Sequence, residues 1–304
     1  MMRKKRSIII TGAMGQDGRI LSKILIEQNY HIYGWIKENK YENKLKNVNY
    51  STINLLDKKN ILRKIKKIKP LAVVHFGSSN PSFSEKKNYK KLLPLNIKST
   101  INLIDSVVET NTKCTFLFSN SSQIFLNKIL KKNKVNENDK IYFNDAYTKF
   151  RFQVFKYLEY LKKTKDFKFV NLILFNHDSI LRNKKFLIPK LINAFKKKNL
   201  KYIKNIFTKN IKGDFSHADD ICRAIALLID KKIQTDNLIL SSGKITKINE
   251  IIKYLCKVTN LKIIFKNKIK KNNKYIIGSN LKAKKLLNWS PKKNIYDVVN
   301  EYFK

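Results

Sequence analysis

A chain of 304 residues, 43% hydrophobic and 11% aromatic, is one large globular domain or two modest ones, and its core removes roughly three quarters of the unfolded surface from water. Eight glycines and five prolines exclude collagen-like and linker-rich chains, and three scattered cysteines (Cys114, Cys222, Cys256) without a CxxC pair exclude a disulfide scaffold and a cysteine-based zinc site. Sixty-five basic residues against 22 acidic ones give a net charge of +43, which suits either a polyanion-binding surface or a biased composition.

Ser7-Ile8-Ile9-Ile10-Thr11 reads as a buried strand. Gly12-Ala13-Met14-Gly15-Gln16-Asp17-Gly18 follows, then helical spacing over Arg19–Gln28, then a second strand at His31–Ile36. Strand, glycine turn, helix and strand in thirty residues make a βαβ unit. Asp57 is placed to cap a helix that runs to Ile68 and stops at Pro70. The third strand is Ala72–Phe76, followed by a helix over Asn96–Val108 and a fourth strand at Thr115–Ser119. Lys131–Lys140 reads as a polar loop with solvated charges. A long helix over Tyr147–Lys163 and a fifth strand at Lys168–Phe175 complete the alternation. Further helices are predicted at Phe186–Lys197, Ala218–Asp230, Ile248–Thr259 and Ile295–Tyr302.

This alternation predicts an α/β fold, a Rossmann-like doubly wound parallel sheet with helices on both faces. A smaller mixed α/β region follows. Residues 1–175 are read as the dinucleotide-binding domain and 176–304 as a sugar-nucleotide-binding region interleaved with it, since no Pro/Gly/Ser-rich linker separates them.

Seven basic residues are arginine (3, 6, 19, 63, 151, 182 and 223) and 58 are lysine, spread along the whole chain. Base readout and phosphate forks favour arginine. Lysine, asparagine and isoleucine, all abundant here, share AT-rich codons. No specific nucleic-acid partner is therefore expected. The basic start Met1–Arg6 is followed by an apolar run of only Ile8–Ile10, short of the ~7–15 residues of a signal peptide or the about 20 of a membrane span, so a cytoplasmic protein with no membrane partner is expected.

The spacing of Gly12, Gly15 and Gly18 opens a helix directly after a buried strand. Glycine permits the tight turn and the close approach of a pyrophosphate, and the helix N-terminus offers free N–H groups. A nicotinamide dinucleotide is the implied cofactor. Strand two ends in Trp35-Ile36-Lys37, where a carboxylate would select NAD. Lys37 suits the 2′-phosphate of NADP instead, with NAD as the alternative. Ser121 lies past the end of strand four, and Tyr147 and Arg151 share one helix face a turn apart. A tyrosine beside a cofactor and a fixed cation can shuttle a proton to or from a sugar hydroxyl during hydride transfer.

These segments resemble the extended short-chain dehydrogenases/reductases, the NAD-dependent epimerases and dehydratases, and within that group the GDP-mannose 4,6-dehydratases. The resemblance is carried by Gly15-Gln16-Asp17-Gly18, Asn54-Leu55-Leu56-Asp57, Phe76-Gly77-Ser78-Ser79 and Ser121-Ser122-Gln123. It is carried further by Leu174-Phe175-Asn176-His177-Asp178-Ser179, Asp214-Phe215-Ser216-His217-Ala218, Ser241-Ser242-Gly243 and Leu286-Leu287-Asn288-Trp289-Ser290-Pro291. It implies a nucleotide-sugar lyase acting on GDP-mannose with NADP, as a homo-oligomer. In that chemistry C4 of the hexose is oxidised with Tyr147 taking the hydroxyl proton, a base removes the C5 proton, water leaves C6, and hydride returns to C6.

The resemblance assigns Ser121, Gln123, Tyr147 and Arg151 to catalysis. It assigns Gly12, Gly15, Gln16, Asp17, Gly18, Lys37, Asn54, Leu55, Phe76, Gly77, Ser78, Tyr147, Arg151 and His177 to the cofactor. Ser79, Asn176, Lys190 and Lys212 are its candidate substrate contacts. The chain departs from the family at four of these landmarks. Gln123 stands where the C5 base is a glutamate, and an amide accepts no proton. Arg151 replaces a lysine, Gly213 an arginine with Lys212 beside it, and Phe125 a tyrosine. A 4-keto reductase or epimerase on the same fold needs no C5 glutamate and stays open, as does a cofactor-binding relative without catalysis. His31, His75, His177 and His217 fall in no metal-ligand spacing, so no metal is expected.

Overall fold

The computed structural model describes residues 6–38, 44–78, 89–110, 113–126, 133–265, 269–270 and 275–304. Strand β1 (Ser7–Thr11) leads through a glycine turn into helix α1 (Gln16–Glu27), then β2 (His31–Ile36) and β3 (Val48–Thr52). Helix α2 (Lys58–Ile68) follows, capped by the Asp57 side chain accepting from the Asn60 N–H at 3.0 Å. Next come β4 (Ala72–His75), α3 (Tyr89–Glu109), β5 (Thr115–Ser121) with a 3₁₀ turn (Ser122–Phe125), β6 (Lys134–Val135), α4 (Ala146–Lys165), β7 (Phe169–Leu174) and β8 (Asn176–Asp178). The chain continues through α5 (Leu187–Lys196), α6 (Leu200–Thr208), β9 (Lys212–Gly213), β10 (Phe215–His217), α7 (Ala218–Asp230) and β11 (Asn237–Leu240). It closes with β12 (Thr246–Lys247), α8 (Ile248–Val258), β13 (Ile277–Gly278), α9 (Leu281–Leu287) and α10 (Ile295–Glu301).

Seven strands form one parallel sheet in the order β11-β7-β5-β4-β1-β2-β3. Strand order reverses between β1 and β4, so the loops leaving their carboxyl ends part there and open a crevice. Ile8, Ile9 and Ile10 of β1 are wholly buried, because helices cover both sheet faces. α1 and α7 pack on one face with Leu21, Leu25, Ile221 and Ile225. α2, α3 and α4 pack on the other with Ile61, Leu103, Phe150 and Leu158. α5, α6, α8 and α10 enclose a separate apolar cluster around Leu191, Ile203, Ile251 and Val298. This is the Rossmann-like α/β fold that the alternation predicts.

Several elements differ from the sequence reading. β3 has no counterpart among the predicted elements, because only Val48 of its five residues is buried and the rest are polar or half-exposed at a sheet edge. β11, four residues long, completes the sheet from the carboxyl-terminal half of the chain. β5 runs on to Ser121, so that serine ends the strand instead of following it. α3 begins at Tyr89 and carries Pro94 inside it, where the missing N–H removes one helical bond without ending the helix. The polar stretch before α4 contains β6, paired in parallel with β13, and Glu137 Oε1 accepts the Ile239 N–H of the edge strand at 2.9 Å. That carboxylate is therefore committed to the sheet edge and is not merely solvated.

Candidate active site

The glycine turn is a backbone cradle. Gly12 adopts φ +68°, and a Cβ there would lie 2.9 Å from the Phe76 carbonyl carbon. A Cβ at Gly18 would lie 2.5 Å from the Gly12 oxygen. Only glycine lets the β1–α1 loop, the β4–α3 loop and the start of α1 approach so closely. Gly15 caps α1 in extended conformation, leaving first-turn N–H groups at the crevice. Ser78 Oγ, just past β4, is buried with no hydrogen-bond partner among the described residues. An exposed backbone cradle with an orphaned hydroxyl beside it fits an anionic dinucleotide.

Of the other expected cofactor residues, Phe76 and Gly77 meet this turn directly. Lys37 is exposed directly after β2, and Phe76 and Gly77 leave β4. Asn54 is exposed and its side chain accepts the Leu56 N–H, while the Leu55 carbonyl accepts from Asn102. Gln16 and Asp17 turn inward. Gln16 Nε2 donates to Asp17 Oδ1 at 2.9 Å and to the His177 carbonyl at 3.3 Å, and Gln16 Oε1 accepts from Ser179 Oγ at 3.0 Å. His177 Nε2 meets Asp17 Oδ1 at 3.0 Å, and its Nδ1 meets the Phe175 carbonyl at 2.7 Å. Both ring nitrogens thus face acceptors, the setting of an imidazolium. Burial alone would raise the Asp17 carboxyl, but the charge and hydrogen bond of His177, aided by Arg182, hold it down to about 2. Burial opposes the His177 charge, yet Asp17 outweighs it and raises the imidazole above its ordinary value. Arg182 Nε lies 3.6 Å from Asp178 Oδ1 and completes a compact group of four alternating charges.

At the carboxyl end of β5, Ser121 Oγ accepts the Gln123 N–H at 3.3 Å and caps the 3₁₀ turn, which leaves Gln123 half-buried. Tyr147 and Arg151 are both buried on the first turns of α4, whose start is fixed by a reciprocal Asp145–Thr148 capping box. The Arg151 guanidinium lies 5.0 Å from the Tyr147 ring centroid and donates to the Ser119 carbonyl, two residues before Ser121. Ser121, Gln123, Tyr147 and Arg151 are thereby gathered around one strand end. Tyr89 joins them from α3: its ring meets Tyr147 edge-on at 5.6 Å, and burial pushes its phenol up to about 12. Sequence reasoning missed Tyr89 because Pro94 masked the first turns of α3. Arg182 lies three residues beyond the family-like segment Leu174–Ser179, five positions after His177.

The candidate substrate contacts are more dispersed. Asn176 is exposed, and its Nδ2 donates to the Asp214 carbonyl at 3.2 Å. The Asp214 carboxylate holds the Ser242, Gly243 and Gly278 amides and the Ser242 hydroxyl, tying β10 to the ends of β11 and β13. Lys190 lies 5.6 Å from the Tyr202 ring centroid and Lys212 6.0 Å from that of Tyr275. Ser79 lies outside the described residues. No helix among the described residues is long and apolar enough to cross a membrane.

A family model described as GDP-mannose 4,6 dehydratase matches residues 9–302. A GDP-mannose 4,6 dehydratase of Dictyostelium discoideum is 21% identical over 99% of this chain and 96% of its own. The fold is shared with a UDP-glucose 4-epimerase of Thermotoga maritima solved with UDP-glucose (TM-score 0.81, 19% identity, 98% of this chain and 97% of that one). It is shared equally with a dTDP-glucose 4,6-dehydratase of Bacillus anthracis solved in complex with NAD (TM-score 0.81, 13% identity, 98% and 95%).

Proposed function

The chain belongs to the GDP-mannose 4,6-dehydratase family, and on that premise we propose that it acts on a nucleotide-bound hexose, GDP-mannose foremost, with NADP as cofactor and NAD as the alternative. The observation that carries this reading is Tyr147, buried beside the Arg151 guanidinium at the carboxyl end of β5, two strands from the glycine turn on β1. Gly12, Gly15, Gly18 and Ser78 would hold the dinucleotide phosphates, with Lys37, Asn54, Leu55, Phe76 and Gly77 along the rest of the crevice. Bound there, the cofactor would supply reversible hydride transfer at C4 of the sugar.

The protein's own part is proton handling and placement. Tyr147 takes the C4 hydroxyl proton as the alcohol becomes a ketone. Ser121 donates to the developing ketone oxygen, and the guanidinium beside the phenol ring adds a fixed positive charge. Residues 1–175 hold the cofactor, and the region from 176 onward, with Ser79, Asn176, Lys190 and Lys212, meets the sugar nucleotide. Cys114, Cys222 and Cys256 form no disulfide with one another, which suits a reducing cytoplasm.

Dehydration then needs a base for the C5 proton, and Gln123 stands at that place. An amide cannot accept the proton, and Tyr147 is engaged at C4. The same glutamine favours a second reading, a 4-keto reductase or epimerase, which needs no such base. Incubation with GDP-mannose and NADP in deuterated water separates them, with mass spectrometry of the 4-keto product and of the C5 hydrogen. The wild-type chain should exchange C5 slowly, and Gln123→Glu should speed exchange and turnover by about 10²–10⁴-fold. Rapid exchange in the wild type would mean that another group is the base.

A further inference from the structure

His75 ends β4 between the glycine turn and the catalytic strand, and it is wholly buried. Its ring lies against those of Phe116 and Phe118, at 6.1 and 6.2 Å between centroids. Both ring nitrogens meet threonine hydroxyls: Nδ1 faces Thr11 Oγ1 at 2.7 Å, and Nε2 faces Thr100 Oγ1 at 3.1 Å. Thr11 Oγ1 also accepts the Gly77 N–H at 3.0 Å. A hydroxyl has one proton to give. With the Gly77 amide donating to Thr11, the arrangement that gives every proton an acceptor directs the Thr11 hydroxyl at a bare Nδ1. Nε2 carries the ring proton and donates to Thr100. The opposite tautomer would have Thr11 accept twice and strand its own proton.

The contacts of His75 reach both halves of the proposed site. Thr11 precedes Gly12, and Gly77 follows Phe76, whose carbonyl carbon lies where a Gly12 Cβ would clash. The two loops at the switch point therefore touch through backbone, and the Thr11–Gly77 bond fixes their spacing. On the other side, Ser119 Oγ donates to the His75 carbonyl at 2.8 Å, and the Ser119 carbonyl accepts from Arg151. Thr11, Thr100 and Ser119 are all buried, so no water is at hand to replace a lost partner.

We propose that His75 is a positioning residue of the cofactor crevice: as the neutral Nε2–H tautomer it takes the Thr11 hydroxyl bond, and Thr11 in turn holds the Gly77 amide and sets the gap between the two loops. This rests on the reading of that crevice as a dinucleotide site. Burial and the Arg151 charge both disfavour the imidazolium and push the ring down to about 3, consistent with a neutral ring.

The test uses the two ends of the ring separately. His75→Asn keeps a polar atom near Nδ1, and His75→Gln keeps one near Nε2. In NADPH fluorescence titrations, His75→Gln and Thr11→Val should bind roughly ten-fold more weakly, while His75→Asn and Thr11→Ser stay within about two-fold of wild type. The double variant Thr11→Val/His75→Gln should be no weaker than either single one, because both remove the same link. Equal losses in His75→Asn and His75→Gln, or additive losses in the double variant, would overturn the proposal. Nitrogen NMR of the wild type should show Nδ1 unprotonated at neutral pH, and Thr11→Val should lose hydrogen-exchange protection at the Gly77 amide. A protonated Nδ1, or unchanged protection, would equally overturn it. A wild-type chain that binds neither NADPH nor NADH would refute the dinucleotide reading, and the NMR and exchange measurements would still decide the role of His75.

Discussion

The junction of β1 with β4 and the junction of β8 with α1 each turn on one buried histidine, and they are built on opposite electrostatics. His75 is set between two hydroxyls with an arginine charge nearby, so its ring stays neutral. His177 is set between a carbonyl and a carboxylate, so its ring is charged. The two residues are similarly withdrawn from water, at 0% and 6% exposure, so burial alone does not decide the protonation state. The partners do. The first junction fixes spacing with short neutral bonds among backbone and hydroxyl groups. The second clamps the first turn of α1 onto the 177–182 segment with a group of four charges.

The sharpest way to break this contrast is to remove one member of the charged pair. Asp17→Ala leaves His177 facing the Phe175 carbonyl and the Arg182 charge without its counter-ion. Breaking a buried pair from one side typically costs about 3–5 kcal/mol, most of it the uncompensated partner. Urea denaturation at neutral pH should show a loss of that order. A loss under about 1 kcal/mol would mean that the pair behaves like an exposed surface bridge.

The pH dependence should separate the two junctions by sign. His75 is depressed to about 3 in the fold, against an ordinary 6.5. Below 6.5 the unfolded chain binds a proton that the folded one refuses, so stability falls by about 1.4 kcal/mol per pH unit toward the folded value. His177 is raised above 6.5 in the fold. Its contribution is complete below 6.5 and disappears as pH rises through the raised value. Denaturation midpoints taken from about pH 5 to about pH 9 should therefore fall on both sides of neutrality. His75→Asn should flatten the acid limb alone, and Asp17→Asn the alkaline limb alone. A single variant that flattens both limbs would show that the junctions titrate as one.

The sequence exposed the elements of each junction but not the pairings. Ile8–Ile10, the three glycines and the run Phe169–Leu174 announce themselves through unbroken apolar stretches and turn chemistry, and they place the cradle correctly on a parallel sheet. Gln16, Asp17 and His177 stood out through family-like segments as cofactor contacts. That Asp17 and His177 meet each other across 160 residues follows only from the folded packing of α1 against β8. His75 carried no metal spacing and looked bland, because its partners Thr11 and Thr100 lie 64 and 25 residues away and are common residues. β3 and β11 escaped notice for a simpler reason. One is an edge strand with little to bury, and the other is too short to show a period.

The smallest effect tests how far the charged junction depends on neutral bonds of its own. Ser179 Oγ donates to Gln16 Oε1 at 3.0 Å and accepts the Leu181 N–H at 3.2 Å. By occupying the amide oxygen it directs the Gln16 nitrogen toward Asp17 and the His177 carbonyl. Ser179→Ala removes both of these hydrogen bonds and frees the amide to turn. Turned, its oxygen would face the Asp17 carboxylate and the His177 carbonyl, both acceptors, so the original orientation should persist. The expected cost is about 1–2 kcal/mol by urea denaturation, with both pH limbs unchanged, since no charge is altered. A loss as large as that of Asp17→Ala would show that neutral hydrogen bonds hold this junction too. The difference between the two histidines would then concern charge alone, not the way each region is fastened.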